Sequence, residues 1–330
     1  MSEYDTLSKL NEKTSTLKDN LELLSLPLNK LKIMGSYASY SSTGGYYSKE
    51  SNENILKKNL LLKNRFIHLD IFYDIINNER VPIVKSIINK KGFSFENACK
   101  TIKTYGFSSY KIHQYPLILY LNLNYADIDK EISNKIADIL IKVFQTKLLG
   151  YKYAYGFQKK NQNLAQEQLN NFMNKIIILS NYSNLENKNH IKRTNTDYLN
   201  ELINSFVKVY DNINDLFNET ENINFRALEY HSAKNDTLIN LYHDSLENID
   251  DSHLSELFLI AIPNYKNKKR NPITYNLDIM NSKFSRFNVL PQIFYKINET
   301  HNNQKIKDLL IKYILYFTNN TFFSPITTLK

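Results

Sequence analysis

The sequence has no tryptophan, only one cysteine and no long apolar run. A single thiol, that of Cys99, cannot form a disulfide within the chain, which favours a reducing compartment. No apolar stretch reaches the roughly 18 residues that a membrane-spanning helix needs, and residues 1–20 are polar, unlike a signal peptide. These absences predict a cytoplasmic protein without a transmembrane segment.

Glycine and proline are also scarce, with seven of each in 330 residues. No linker rich in either residue divides the chain, and no repeat of fixed period is visible. The length permits two average domains or one large α/β barrel. Hydrophobic residues make up 42% of the chain, which is typical of a globular protein rather than a disordered one. We therefore expect a helical extension at residues 1–28 and one folded domain at residues 29–330.

The chain carries a net charge of +9, and Lys, Asn, Ile and Tyr are abundant. These residue types all have A/T-rich codons, so the bias indicates an A/T-rich genome. A basic surface favours anionic partners, and anionic phospholipid is one of the partners we consider. Nucleic acid is not expected, because the lysines are scattered, Arg is scarce and no nucleic-acid-binding motif occurs.

Short apolar runs alternate with helical patterns of period near 3.6 residues, as in βα units around a parallel sheet. Helices are predicted at residues 6–24, 48–62, 94–105, 127–148, 197–210 and 304–317. Strands are predicted at residues 31–36, 65–72, 81–85, 116–123, 175–180, 225–230, 257–262 and 287–295. Eight strands favour a closed (β/α)8 barrel, with residues 181–224 as a polar insertion followed by a helix.

Four stretches resemble the X region of phosphatidylinositol-specific phospholipase C in their order and spacing. Residues 36–40 stand where the family has Ser-His-Asn-Thr-Tyr, and residues 66–72 where it has a strand ending Glu-Leu-Asp-x-Trp. Residues 81–85 match the strand that leads to the second family histidine, and residues 115–122 match Tyr-Pro-x-x-Leu-Ser-Leu-Glu. The resemblance implies a distorted TIM barrel of the phospholipase C-like phosphodiesterase type. Its X-like half would be residues 29–180 and its weaker Y-like half residues 225–330.

The chain resembles still more the divergent phospholipase-like proteins that large DNA viruses of eukaryotes encode, in which strands such as residues 119–123 recur. This resemblance, with which the A/T-rich composition agrees, implies protein partners or a viral assembly. They also imply a place in the virion or the viral factory, beside the cytoplasm.

The two histidines that transfer protons in the family have no counterpart here. Tyr37 stands in the first position, and Lys85 or Ser86 lies near the second. Tyrosine, with an ordinary pKa of about 10, is a poor base near neutral pH. No histidine occurs between His68 and His113. The resemblance therefore implies a degenerate pocket without catalytic residues.

The calcium ligands of the family are mostly replaced as well. Ala38 stands for Asn, His68 for Glu and Asn122 for Glu, while Asp70 is retained. Calcium prefers roughly six or more oxygen ligands, so Asp70 and Asn122 are only weak metal candidates. We expect no cofactor, and calcium only if the site is functional.

Three hypotheses follow for the function. The first is a catalytically degenerate phospholipase C-like domain, a pseudoenzyme with a binding or structural role. The second is a phosphoric diester hydrolase that acts on phosphoinositides or related lipids with a rearranged site. His68 and Asp70 would form that site, because residues two apart on a strand share one face. The third is a binder of lipid headgroups or other polyanions without turnover.

Overall fold

The structure, a computed structural model, describes a large part of the chain. The described residues are 21–41, 51–108 except 88 and 90, 114–124, 128–154, 163–181, 198–218 except 212, 223–231, 256–264, 288–289 and 323–325. The helix predicted at 304–317 and most of the helix predicted at 6–24 lie outside this part. No helix within it is long and apolar enough to cross a membrane.

Helices and strands alternate through the described residues. The helices are α1 (Leu21–Ser25), α2 (Glu53–Leu61), α3 (Phe95–Gly106), α4 (Lys130–Phe144), α5 (Tyr198–Leu202) and α6 (Ile213–Asn218). The strands are β1 (Leu31–Ile33), β2 (Gly35–Ser36), β3 (Phe66–Ile76), β4 (Glu79–Val84), β5 (Phe93–Ser94), β6 (Leu117–Leu123), β7 (Ile176–Asn181), β8 (Ser205–Tyr210), β9 (Phe225–His231), β10 (Phe258–Asn264) and β11 (Phe323–Pro325).

The parallel strands form the wall of a closed barrel. β2 pairs with β3, and β6, β7, β8, β9 and β10 follow in that order, each parallel to the one before. Val289 completes the circle, because it pairs in parallel with Ile260 of β10 on one side and with Ile33 of β1 on the other. The predicted distorted α/β barrel is confirmed.

Burial on both faces explains why the central strands are so apolar. β6 has the sequence LILYLNL and β7 the sequence IIILSN, and nearly every residue of both is buried between the barrel interior and the surrounding helices. The helix α4 buries Ile132, Ile136 and Leu140, which are spaced one turn apart. It begins at Asp129, whose Oδ1 accepts a hydrogen bond of 3.1 Å from the Ile132 N–H.

The strand predicted at residues 81–85 forms, but it is not part of the barrel wall. β4 pairs antiparallel with the outer half of β3. The two strands are joined by a tight turn at Asn77 and Asn78, which have φ angles of 53° and 66°. Two consecutive residues with positive φ are typical of the turn that closes a two-residue hairpin. β3 therefore belongs to the barrel in its first half and to a hairpin in its second.

The helix predicted at residues 197–210 is wrong in its second half. The structure has the short helix α5 and then the barrel strand β8, both within the segment predicted as an insertion and a helix. Leu199, Ile203, Phe206 and Tyr210 are all buried, and their spacing of three or four residues imitates one face of a helix. The described residues still give eight wall segments, when β1 and β2 are counted as one and the Val289 segment as another. The missed strand β8 takes the place that is predicted for β4.

Candidate functional site

The candidate site lies at the carboxyl ends of β2, β3 and β6, which is the end of a parallel barrel where active sites form. His68 and Asp70 are alternate residues of β3. They pair in register with Tyr120 and Asn122 of β6. The chain that leaves β2 supplies the remaining side chains.

The turn after β2 is held firmly against β3. Ser39 Oγ donates to the Ser36 carbonyl at 2.9 Å and accepts from the backbone N–H of His68 at 3.0 Å. The Ser39 N–H in turn donates to the His68 carbonyl at 3.0 Å. Ala38 has a φ of 42°, a region that asparagine enters more readily than alanine. The backbone at Ala38 thus has a conformation that suits asparagine, the residue that stands at this position in the family motif Ser-His-Asn-Thr-Tyr.

The His68 imidazole is enclosed by aromatic rings and held in one tautomer. The Tyr37 ring stacks on it at a centroid distance of 4.4 Å, and the Tyr120 ring contacts it edge-on at 5.1 Å. The Ala38 N–H donates to Nδ1 at 3.3 Å, so the neutral ring carries its proton on Nε2. Burial lowers the pKa of His68, and the negative charge of Asp70 opposes this shift less strongly.

Both carboxylate oxygens of Asp70 accept hydrogen bonds from protein side chains. The Tyr40 hydroxyl donates to Oδ2, and Asn122 Nδ2 donates to Oδ1 at 2.5 Å. His68 Nδ1 lies 3.9 Å from Oδ2, which is too far for a hydrogen bond. Asp70 is completely buried, so these two donors replace the hydration of its negative charge.

Five of the six positions predicted for the pocket come together, and Lys85 does not join them. Its ammonium lies 5.1 Å from the centre of the Phe72 ring, and its backbone N–H donates to the Asp70 carbonyl at 3.3 Å. The five that meet are Tyr37, Ala38, His68, Asp70 and Asn122.

Sequence reasoning missed four residues that build the site: Ser36, Ser39, Tyr40 and Tyr120. The signal for two of them was present in the resembling motifs. Tyr40 matches the tyrosine that ends Ser-His-Asn-Thr-Tyr, and Tyr120 stands where the strand motif has a serine. A large ring in place of a small hydroxyl side chain fills the space beside His68.

The residues present fit a calcium ion poorly. The two weak metal candidates, Asp70 and Asn122, are hydrogen-bonded to each other. Among the described residues, no three side chains of His, Cys, Asp or Glu converge on one point. A cation at Asp70 would have to displace Tyr40 or Asn122 from the carboxylate.

Comparison with known proteins agrees with the resemblance noted in the sequence. Residues 24–182 match the family model of the phosphatidylinositol-specific phospholipase C X domain. The crystal structures of PLC21 from S. officinalis and from L. pealei each have a TM-score of 0.61 and 15% identity, and each covers 92% of this chain. The chain spans only 37% of the length of those two proteins.

The match to another solved structure spans nearly the whole length of that protein. The calcium-dependent phosphoinositol-specific phospholipase C from Pseudomonas sp. has a TM-score of 0.50 and 10% identity, over 84% of this chain and 94% of its own. No curated protein matches the sequence significantly. At these identities the structural neighbours show the fold alone.

Proposed function

We propose that this chain is a non-catalytic member of the phospholipase C-like phosphodiesterase superfamily with a binding or structural role. It has the fold of these phosphodiesterases, and its residues 24–182 match the X domain. One observation carries the proposal. Asp70, the one acidic residue at the positions that resemble the calcium ligands of the family, has both oxygens bonded to Tyr40 and Asn122. The carboxylate stabilises the protein's own side chains instead of a cation.

Proton transfer is unsupported at the same place. A general base needs an acceptor atom that can reach the substrate. In His68, Nδ1 already accepts from the Ala38 N–H, and Nε2 carries the remaining proton. Tyr37 packs flat on this ring instead of standing at a reacting position. Loss of one general acid or base typically costs about 10² to 10⁴ in rate.

Burial also argues against turnover. His68 is 2% exposed and Asp70 is fully buried, and Tyr37 covers the histidine ring. A phosphodiester would have to displace side chains packed on the imidazole, Tyr37 among them, to contact it. The barrel therefore acts as a scaffold, and protein partners, including those of a viral assembly or viral factory, are our favoured ligands.

A second candidate function is hydrolysis of phosphoinositides or related anionic lipids with a rearranged site. The match to the X domain supports it, as does the presence of a titratable imidazole, that of His68, on the same face of β3 as Asp70. In this mechanism Tyr37 would swing away and His68 would exchange a proton through Nε2.

Assay of the purified full chain on phosphatidylinositol vesicles, with calcium and with a calcium chelator, separates the two functions. The controls are His68→Asn and Asp70→Asn, each checked for folding, and Tyr198→Phe at an exposed position. We expect no hydrolysis above the blank and no calcium binding by calorimetry. Hydrolysis that is lost in His68→Asn and Asp70→Asn but kept in Tyr198→Phe would replace the first proposal by the second.

A further inference from the structure

Four basic side chains gather at the opposite end of the barrel from His68, where β3, β6 and β7 begin. Arg65 directly precedes β3 and Lys175 directly precedes β7. Their carbonyls accept from the first two residues of β6, at 2.7 Å from Ile118 and 3.0 Å from Leu117. We call the set Arg65, Lys103, Lys147 and Lys175 the basal cluster.

The Phe107 ring contacts two members of the basal cluster. The Arg65 guanidinium lies 5.6 Å from the centre of its ring, and the Lys147 ammonium lies 5.1 Å from it. Burial lowers the pKa of Lys147, and the positive charges of Lys175 and Lys103 lower it further. The Lys175 ammonium bonds to the carbonyl of Thr146, the residue before Lys147, so the two lysines are neighbours whose charges repel.

No acidic side chain among the described residues forms an ion pair with Arg65. Its guanidinium is fully buried and donates to three carbonyls, those of Gly106 at 2.7 Å, Pro116 at 3.1 Å and Tyr115. Burial without a carboxylate lowers the pKa of Arg65 to about 9. The carbonyls accept from its N–H groups, but they are neutral and do not cancel its positive charge.

The basal cluster has no acidic ion-pair partner in the part of the chain that the structure describes. None of the four cations forms an ion pair within the described residues. Residues 62–65, 103–116, 145–151 and 173–175, which contain the four cations, have no Asp or Glu. Among the described residues, no ion pair neutralises the positive charge of the basal cluster.

The lysines keep hydrogen-bond donors for a ligand. Lys147 Nζ donates to Asn174 Oδ1, and Lys175 Nζ donates to the Thr146 carbonyl at 2.7 Å. An ammonium group has three N–H donors, so within the described structure each lysine uses one and retains two. Lys103, Lys147 and Lys175 are all partly exposed, so an anion from solvent can reach them.

We propose that the basal cluster is a binding site for a phosphate group, held by Lys147 and Lys175 beside the buried charge of Arg65. A phosphate carries about two negative charges and several acceptor oxygens, so it both relieves the repulsion among the lysines and fills their donors. The phosphate comes from a small soluble compound or from a lipid headgroup. The site is independent of the proposed loss of catalysis, because it lies at the other end of the barrel.

Calorimetric titration of the full chain with inorganic pyrophosphate tests this site, and co-sedimentation with phosphatidylcholine vesicles, with and without phosphatidylserine, tests the lipid source. The variants are Lys147→Gln and Lys175→Gln. The matched control is Lys91→Gln, which removes the same charge at an exposed position outside the basal cluster. We expect each cluster variant to weaken binding by about fivefold or more, as for loss of one charge at about 4 Å in water, and the control to bind like the wild type.

Each outcome decides the proposal. Pyrophosphate binding that depends on Lys147 and Lys175 supports a soluble phosphate compound, whereas binding to anionic vesicles alone with the same dependence supports a lipid headgroup. The proposal fails if the wild type binds neither probe, or if Lys91→Gln weakens binding as much as the cluster variants do.

Discussion

The Tyr40 hydroxyl donates a hydrogen bond to the Asp70 carboxylate, and both side chains are completely buried. The two residues are thirty positions apart, in the turn after β2 and in β3. A buried carboxylate without a cation is costly unless donors surround it. Tyr40 and Asn122 supply those donors, so they offset the free-energy cost of burying the Asp70 carboxylate.

Removal of the Tyr40 hydroxyl should destabilise the protein without changing its shape. In Tyr40→Phe one oxygen of Asp70 stays buried without a donor, and we expect the free energy of unfolding to fall by about 1–3 kcal/mol. Urea unfolding followed by circular dichroism measures the change. Tyr198→Phe, at a tyrosine that is 51% exposed, is the matched control and should change stability by less than about 0.5 kcal/mol. Equal stability of Tyr40→Phe and the wild type would contradict the assigned hydrogen bond.

His68 should make the protein less stable in mild acid. Burial lowers its folded pKa below the unfolded value of about 6.5. The stabilisation is therefore complete above about pH 6.5 and is lost as the pH falls, because the unfolded chain then binds a proton that the folded chain resists. The expected slope from this one group is at most about 1.4 kcal/mol per pH unit.

The variant His68→Asn isolates this contribution. Asparagine offers an acceptor oxygen to the Ala38 N–H but does not titrate. Unfolding free energies at about pH 7.5 and about pH 5.5 should differ less in His68→Asn than in the wild type. The titration of all other groups is common to the two proteins and cancels in the comparison. If the two proteins lose the same stability between these pH values, His68 is not buried as a neutral ring.

The sequence predicts most of the barrel wall, because buried parallel strands are recognisable as continuous apolar runs, as in β6 and β7. It does not distinguish a wall strand from a hairpin strand. β4 has apolar residues, Val81, Ile83 and Val84, as the wall strands do, and its pairing with the outer half of β3 places it outside the wall. β8 is missed because its buried residues Phe206 and Tyr210 continue the helical spacing of the residues in α5, so the segment is predicted as helix.

The candidate site is predicted only in part, because four of its residues are missed and Lys85 lies outside it, and its bonding is not predicted. The motif comparison indicates Tyr37, His68 and Asp70 as positions of one pocket, and the structure brings them together. The stacking of Tyr37 on His68 and the bond from Tyr40 to Asp70 join residues about thirty positions apart. No local pattern encodes contacts of that kind.

Cys99 should be unreactive in the folded protein. Its thiol is fully buried in α3, and burial raises its pKa well above the usual value, with a smaller contribution from Glu96. The thiolate is the reactive form, so a disulfide reagent should label no thiol per chain in buffer and one in urea. The count is unambiguous because Cys99 is the only cysteine. Rapid stoichiometric labelling of the native protein would show that α3 packs less tightly than the structure indicates.

Asn288 should be among the most important polar residues for barrel closure. Its Oδ1 accepts from the Leu259 N–H at 2.8 Å, and its Nδ2 donates to the Leu31 carbonyl at 2.9 Å. It therefore links β10 to β1, the two strands on either side of the Val289 segment. Asn288 is only 2% exposed, so water cannot easily replace these bonds.

We expect Asn288→Ala to lower the free energy of unfolding by about 2–3 kcal/mol, because it leaves buried backbone groups without partners. Asn170→Ala is the matched control, since Asn170 is exposed and its loss should cost less than about 0.5 kcal/mol. Hydrogen exchange distinguishes closure from general packing. The Leu259 amide should lose protection in Asn288→Ala, whereas the Ile118 amide, bonded to Arg65 at 2.7 Å on the far side of the wall, should keep more of its protection. Uniform loss at both amides would mean that the barrel opens as one unit, and that the bonds of Asn288 do not hold the seam.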